Sequence, residues 1–360
     1  MTSPLRVLHV VRPAAGGIQQ HVLSLLNGLA PAQIVSSVAA PPEFLAGVAD
    51  APHLFASVPL SIAPKISASD VRAARRLAQV QPQFSDITHA HGLRAAWIAA
   101  LAHRRRPLPL LFTAHNIVAD SLSARLALPF ISRHCSKIVA VSQSVAGSLS
   151  ACGVPPAKIE VIPNGVDWGN FTPSSTSRAE ARAALALPET AFIVASAARF
   201  SREKGLDVLL QAARSRRHMT FLIAGGGPQF ETLSRDLPPN VRLLGRLADV
   251  RPLLFAADVF AVPSRREGQG IAALEAMVAG VPLVASRVGG LAEMLTDSQT
   301  ALLVPPGDHD ALAAALSRLQ SDSRLRRNLA ENASALVQSR YSLQVMLDAL
   351  TALYQEVSAA

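Results

Sequence analysis

The chain has 360 residues, half of them apolar, and that length favours two domains, each able to bury its own core. No run of about 18 residues lacks polar interruption, which argues against a membrane-spanning helix. Its net charge of +9 points to an anionic partner, but 4% aromatic residues and the lack of a recognisable nucleic-acid module argue against nucleic acid.

The opening residues, MTSPLRVLHVVRP, read as a buried strand over 5–11 rather than a signal peptide: the apolar run is short and no small-residue cleavage site follows. Pro13 to Gly17 should turn, and a helix is expected over 21–29. Gly16 and Gly17 make a candidate phosphate loop, with a plain tight turn as the equal alternative; they lack the spacing of a dinucleotide fingerprint. Residues 31–69, rich in Pro, Ala and Ser, give no clear element. Ser69 is placed to cap a helix on which Arg72, Arg75 and Arg76 share one face. That face is either simply solvated or a contact for a membrane or an acceptor phosphate. Asp86 to Gly92 (DITHAHG) and Leu111 to Asn116 (LFTAHN) read as strand ends carrying His89, His91 and His115, where open α/β sheets bind ligands. Nothing in the spacing groups these histidines with a fourth metal ligand. Lys137 to Val141 is the next strand and Ser142 a helix cap. Cys135 and Cys152 lack metal-type spacing and are expected as free thiols in a reducing cytoplasm. Ile159 to Ile162 runs into Pro163-Asn164-Gly165-Val166-Asp167, and a polar linker broken by Pro173 follows over 168–177. Residues 1–170 hold 14 Lys and Arg against 7 Asp and Glu, net +7; the rest hold 20 against 18, net +2.

The second half opens with a strand over 191–197 and the loop Arg199-Phe200-Ser201-Arg202-Glu203-Lys204-Gly205. Thr220 to Ala224 is a strand before Gly225-Gly226-Gly227-Pro228, and Val241 to Leu244 one before Gly245-Arg246-Leu247. Asp258 to Val262 then leads into PSRREGQGIAALEAMVAGVPLVA, residues 263–285. Gly268 and Gly270 let the backbone approach a ligand, the residues from Ile271 to Met277 favour helix, and Gly280 with Pro282 ends it. A glycine loop entering a helix leaves N–H groups aimed where an anion can sit. A nucleoside diphosphate bearing a sugar suits that point, with Glu267 on the sugar side and Glu275 on ribose hydroxyls; a capped helix with two surface glutamates is the alternative. Leu343 to Val357 is an apolar-spaced helix.

Residues 263–285 resemble the E-x7-E signature of family 4 glycosyltransferases, retaining enzymes of the GT-B fold, in the form PS-x2-EG-x-G-x3-LEAM-x2-G-x-P-x-VA. Gln269 stands where an aromatic or aliphatic residue is common. The resemblance extends over nearly the whole chain. It takes in Gly16-Gly17, the T-x-H at Thr113 to His115, the I-P-N-G-V-D at 162–167, the GR-x4-KG loop with Ala198 for its first glycine, the glycine turn at 225–228, Gly289-Gly290 and Leu302 to Asp308. It implies an α/β protein with two Rossmann-like domains, 1–167 on the acceptor side and 168–342 holding the nucleotide sugar, facing a central cleft. A helix at 343–360 would cross back to the first domain. It further implies transfer of a hexosyl unit, with retention, from a donor such as UDP- or GDP-hexose to a hydroxyl. His115 would touch the donor sugar or phosphate, Arg199 and Lys204 would neutralise the leaving diphosphate, Glu267 would orient the sugar and Glu275 would hold the ribose. Gly16, Gly17, Gly225, Gly227, Leu247, Gly268, Gln269, Gly270 and Ile271 would line the donor.

Glu267 and Glu275 are eight residues apart, about 12 Å along a helix, too far for the pair about 5 Å apart in retaining glycosidases. Front-face displacement is therefore expected, the leaving phosphate taking the acceptor proton. No metal is expected to be required. Asp308-His309-Asp310 has the D-x-D form that other glycosyltransferases use for metal, but it opens a helix at 311–319, where Asp308 would be the N-cap and Asp310 would favour the positive helix end. The expected acceptor is a glycan or a lipid-linked sugar of envelope or exopolysaccharide assembly. The basic first half suggests a cytoplasmic protein held at an anionic membrane surface. Rival readings are a GT-B nucleotide-sugar epimerase, a transferase that mainly hydrolyses its donor, and an inactive nucleotide-sugar-binding regulator.

Overall fold

A computed structural model of the chain describes residues 4–13, 16–171 and 177–359. Ala14 and Ala15 of the expected turn, and half of the expected linker (172–176, including Pro173), lie outside them; the linker's first residues, Trp168–Phe171, form a short helix. The chain divides into two compact units, Met1–Gly165 with Leu343–Ala360, and Val166–Ser342.

The first unit is built on seven parallel strands: β1 (Leu5–Val11), β2 (Ile34–Ala40), β3 (Leu54–Pro59), β4 (Ile87–His91), β5 (Leu110–Ala114), β6 (Lys137–Ala140) and β7 (Ile159–Val161). Their order is β3-β2-β1-β4-β5-β6-β7. Both faces of this sheet are buried, which is why its strands read as continuous apolar runs rather than alternating ones. Leu8, Val10, Ala90, Phe112 and Ile138 pack to one side. Val7, Ile87, Leu111 and Val139 pack to the other, under the helix Leu343–Ala359. That helix offers Met346, Leu347, Leu350, Leu353, Tyr354 and Val357, a stripe at helical spacing. It approaches the helix Gly17–Gly28 so closely that a Cβ on Gly28 would lie 2.3 Å from Leu347 Cδ1.

Six parallel strands carry the second unit: β8 (Ile193–Ala197), β9 (Thr220–Ala224), β10 (Val241–Gly245), β11 (Val259–Val262), β12 (Leu283–Ser286) and β13 (Leu302–Val304), in the order β10-β9-β8-β11-β12-β13. Here too the side chains alternate between two buried layers, Ile193, Leu222 and Phe260 against Val194, Phe221 and Val259.

In each sheet the winding direction reverses once, between β1 and β4 and between β8 and β11. Loops leaving such neighbouring strands diverge and open a crevice at their carboxyl ends. In the first unit Arg12 follows β1 and Gly92 follows β4; in the second the stretches 198–205 and 263–270 follow β8 and β11.

Three expectations are corrected. Ser69 does not cap its helix: the helix runs Ser69–Phe84, Ala68 precedes it without a side-chain cap bond, and Ser69 Oγ meets Ser67 Oγ at 2.7 Å. Residues 31–69 contain two strands and a short helix, Pro42–Ala46; Ser36 and Ser37, both buried, interrupt the apolar signature of β2. The helix after Gly16 begins at Gly17, not near residue 21. Ser142 does cap the helix Gln143–Ala151, and Asp308 caps His309–Ser321 by accepting from Ala311 N at 2.8 Å. Cys135 and Cys152 are buried free thiols.

Candidate functional site

At the reversal of the second sheet, two loops more than fifty residues apart in sequence are laced together. Lys204 Nζ donates to both carboxylate oxygens of Glu267, at 2.8 and 2.7 Å, and Ser264 Oγ donates to Glu267 Oε2 at 3.0 Å. The backbone N–H groups of Arg265 and Arg266 donate to the carbonyl of Glu203, and the Arg265 guanidinium grips Asp207 with two bonds of 2.7 Å. Gly205, at φ +64°, allows this approach, since a Cβ there would lie 2.0 Å from the carbonyl oxygen of Pro263. Glu267 is thus a buried carboxylate whose charge is balanced by a lysine that still reaches solvent.

Gly270, at φ +91°, turns the chain into the helix Ile271–Val278, whose first N–H groups have no intrahelical acceptor. Of the two loop glycines only Gly270 is left-handed. Gly268 instead lies against Gly290, whose N–H donates to the Glu267 carbonyl at 3.1 Å and whose Cβ, if present, would lie 2.0 Å from the Gly268 carbonyl oxygen. Gln269 is buried and Ile271 half-buried. Glu275 is 8% exposed, and no described side chain hydrogen-bonds its carboxyl. Burial, helped by the charge of Asp249, raises its pKa to about 7.

Arg199 is exposed, and its stem passes Gly227, where a Cβ would sit 3.1 Å from Arg199 Cγ. A Cβ on Gly225 would strike the Ala198 carbonyl oxygen at 1.9 Å. Leu247 is 38% exposed, an apolar side chain left open beside Gly245.

In the first unit the sheet gathers five histidines, a grouping that the sequence spacing does not carry. His9 of β1, His89 and His91 of β4, and His21 of the helix Gly17–Gly28 are buried, and His115 follows β5 with its Nε2 buried. His9 Nδ1 lies 3.1 Å from His91 Nε2, and His9 Nε2 lies 3.3 Å from Ser36 Oγ. His89 spends both nitrogens, on the Tyr354 hydroxyl at 2.6 Å and on Thr113 Oγ1 at 2.7 Å. The His21 and His115 rings meet edge to face at 4.7 Å. Burial lowers all five pKa values, that of His9 to about 3 and that of His21 to about 4, so all are neutral near pH 7. Gly16 adopts φ +76°, with open space where a Cβ would stand, and Gly17 is the first residue of the helix.

Sequence reasoning missed His9, His21, Ser264, Asp207 and Asp249. A histidine in the middle of an apolar strand run was the available signal for His9, and the PS-x2-E spacing was the signal for Ser264, three residues before Glu267; the others depend on contacts distant in sequence.

Residues 177–335 match a family model described as glycosyl transferases group 1, and residues 15–168 one described as glycosyltransferase family 4. The D-inositol 3-phosphate glycosyltransferase of Saccharomonospora viridis is 32% identical over 319 residues, covering 78% of this chain and 72% of that one. The protein of the same name from Mycobacterium tuberculosis H37Ra is 30% identical over 302 residues, covering 76% and 62%. Anabaena Alr3699/HepE, solved in complex with UDP and glucose, matches with a TM-score of 0.87 at 21% identity over 98% of this chain and 99% of that one. A glycosyltransferase from Rickettsia africae matches with a TM-score of 0.84 at 20% identity over 99% of both. At that identity the two structures show the fold, which is GT-B.

Proposed function

The chain belongs to the family 4 glycosyltransferases, and from that membership we propose that it moves a hexosyl unit from a nucleoside diphosphate sugar to a hydroxyl acceptor, with retention at the anomeric carbon. The observation that carries this reading is the pair of hydrogen bonds from Lys204 Nζ to both carboxylate oxygens of Glu267, 63 residues away, at the reversal of the second sheet. The Lys204 ammonium is held beside the positive end of the helix Ile271–Val278, which suits a leaving diphosphate. Arg199, exposed nearby in the same loop, adds a second cation. Glu275 accepts ribose hydroxyls, Glu267 orients the sugar, and His115 touches the donor sugar or phosphate. Gly16, Gly17, Gly225, Gly227, Leu247, Gly268, Gln269, Gly270 and Ile271 are proposed to line the donor.

In this reading the acceptor hydroxyl attacks from the leaving-group face, its proton passes to the departing phosphate oxygen, and the C–O bond to that phosphate breaks as the new glycosidic bond forms. Protein cations balance the charge that appears, so transfer is expected to persist in EDTA. Activity abolished by EDTA and restored by Mn²⁺ would instead promote Asp308 and Asp310 from cap and first-turn residues to ligands.

For the acceptor, a lipid-linked or glycan hydroxyl of envelope assembly at the inner membrane face is the first reading. A phosphorylated inositol is the second, favoured by the shared name of the relatives at 30–32% identity. The test incubates the protein with radiolabelled UDP- and GDP-hexoses and either a membrane-lipid extract or inositol phosphate. Label is expected in one acceptor, with the donor's anomeric configuration by NMR. Release of free sugar only, epimerised donor, or tight binding without turnover would each replace the transferase reading.

A further inference from the structure

We infer that His21, His91 and His115 form a three-imidazole site for a borderline transition-metal ion such as Zn(II), Co(II) or Ni(II). The inference draws only on residues of the first unit; it shares His115 with the donor reading but is tested by metal binding, not by transfer. One ring nitrogen from each of the three lies within 4.8 Å of the other two. Each residue also has a buried ring nitrogen left for a ligand: Nδ1 of His91 and Nε2 of His115 have no hydrogen-bond partner, and of the two buried nitrogens of His21 the Asn164 side chain can engage only one. Buried lone pairs left unmatched cost free energy and are rare without an occupant or a role.

His9, His89 and His91 are as closely grouped, but His89 and His9 have both nitrogens engaged. They suit a supporting role. If His91 Nε2–H donates to His9 Nδ1 and His9 Nε2–H donates to Ser36 Oγ, Nδ1 of His91 keeps its lone pair for a metal. Hydrogen bonds behind a ligating imidazole fix its tautomer and orientation in this way.

Three neutral imidazoles select Zn, Co, Ni or Cu(II) over Mg, Ca or Mn, which take oxygen. Nitrogens on tetrahedral zinc stand about 3.3 Å apart, so modest side-chain rotations close the site and leave a fourth position. Arg12 is near enough to lower the pKa of His115. A dication would therefore sit beside a guanidinium, and an anionic fourth ligand, such as hydroxide, offsets that charge. The competing occupant is buried water, which also satisfies such nitrogens.

The test titrates CoCl₂ into the full-length, tag-free protein after chelator treatment. One equivalent should bind with the intense visible band of four-coordinate Co(II), and ZnCl₂ should displace it. His91→Gln and His115→Gln should each weaken binding by at least the roughly 100-fold that loss of an outer-shell partner can cost, while His53→Gln and His309→Gln, at exposed positions, should not. X-ray absorption of the zinc form of the unaltered protein, which requires no variant to fold, should count three imidazoles. No band, a weak six-coordinate band, or binding unchanged in His91→Gln and His115→Gln would overturn the site and leave water as its occupant.

Discussion

At the scale of single residues, the proposed chemistry rests on Lys204 and Glu267. Because Lys204 is already fixed by both oxygens of Glu267, in that reading it would meet a leaving diphosphate without reorganisation, the condition under which a charge contact contributes most to a transition state. Lys204→Ala should lower kcat/KM by on the order of 10²-fold or more. Near-normal kcat/KM in both Lys204→Ala and Arg199→Ala would remove the diphosphate assignment. Glu275 carries a cost that the fold bears. Its folded pKa, about 7, exceeds the ordinary carboxylate value. As pH rises from about 4.5 to 7 the unfolded chain releases this proton while the folded chain keeps it, so stability falls across that window by about 3 kcal/mol and then levels off. Glu275→Gln should therefore melt higher than the unaltered protein at pH 8 but not at pH 4.5, while binding nucleotide more weakly by roughly 1.5–3 kcal/mol. Equal melting differences at the two pH values in a scanning-calorimetry comparison would contradict the buried-carboxyl account.

The loops that carry these residues interlock through glycines. Gly205 sits against the Pro263 carbonyl, Gly225 against that of Ala198, and Gly290 against that of Gly268. Each contact joins the carboxyl end of one strand to the loop of another. Gly205→Ala would meet both a left-handed φ and a backbone oxygen at 2.0 Å, and strain of this kind costs roughly 1–3 kcal/mol. Its melting temperature should drop, and kcat should fall because Lys204 directly precedes the displaced residue. Unchanged melting and turnover would mean that the lacing does not position the lysine. The glycines themselves were legible, as breaks between apolar runs and helix formers, and so were the strand 5–11 and the helix after Gly270. What they abut was not, because the partner carbonyls lie far away in the chain. Ser69 misled for a local reason: serine is a good cap, but Ala68 already enters the helical region, with φ −59° and ψ −23°.

At the scale of the whole molecule, the alternation of strand and helix made two parallel-sheet halves legible, whereas strand order did not follow from it. The five-histidine cluster exists only because β4 lies between β1 and β5, a fact that sequence spacing does not carry. The charge asymmetry, by contrast, was readable by counting, and the structure keeps it on the surface. Arg72, Arg75 and Arg76 are exposed on the helix Ser69–Phe84, and Arg104, Arg105 and Arg106 are exposed after the helix Leu93–His103. No described helix is long and apolar enough to cross a membrane. Each cation near an anionic bilayer contributes about 1 kcal/mol, fading within a Debye length. Six acting together would hold the protein reversibly, with a steep dependence on salt. Co-sedimentation with vesicles should accordingly require anionic lipid, fall between about 50 and 300 mM salt, and weaken when all six arginines become glutamine. Neutral and anionic vesicles binding alike, or no binding at low salt, would leave both clusters as ordinary solvated surface.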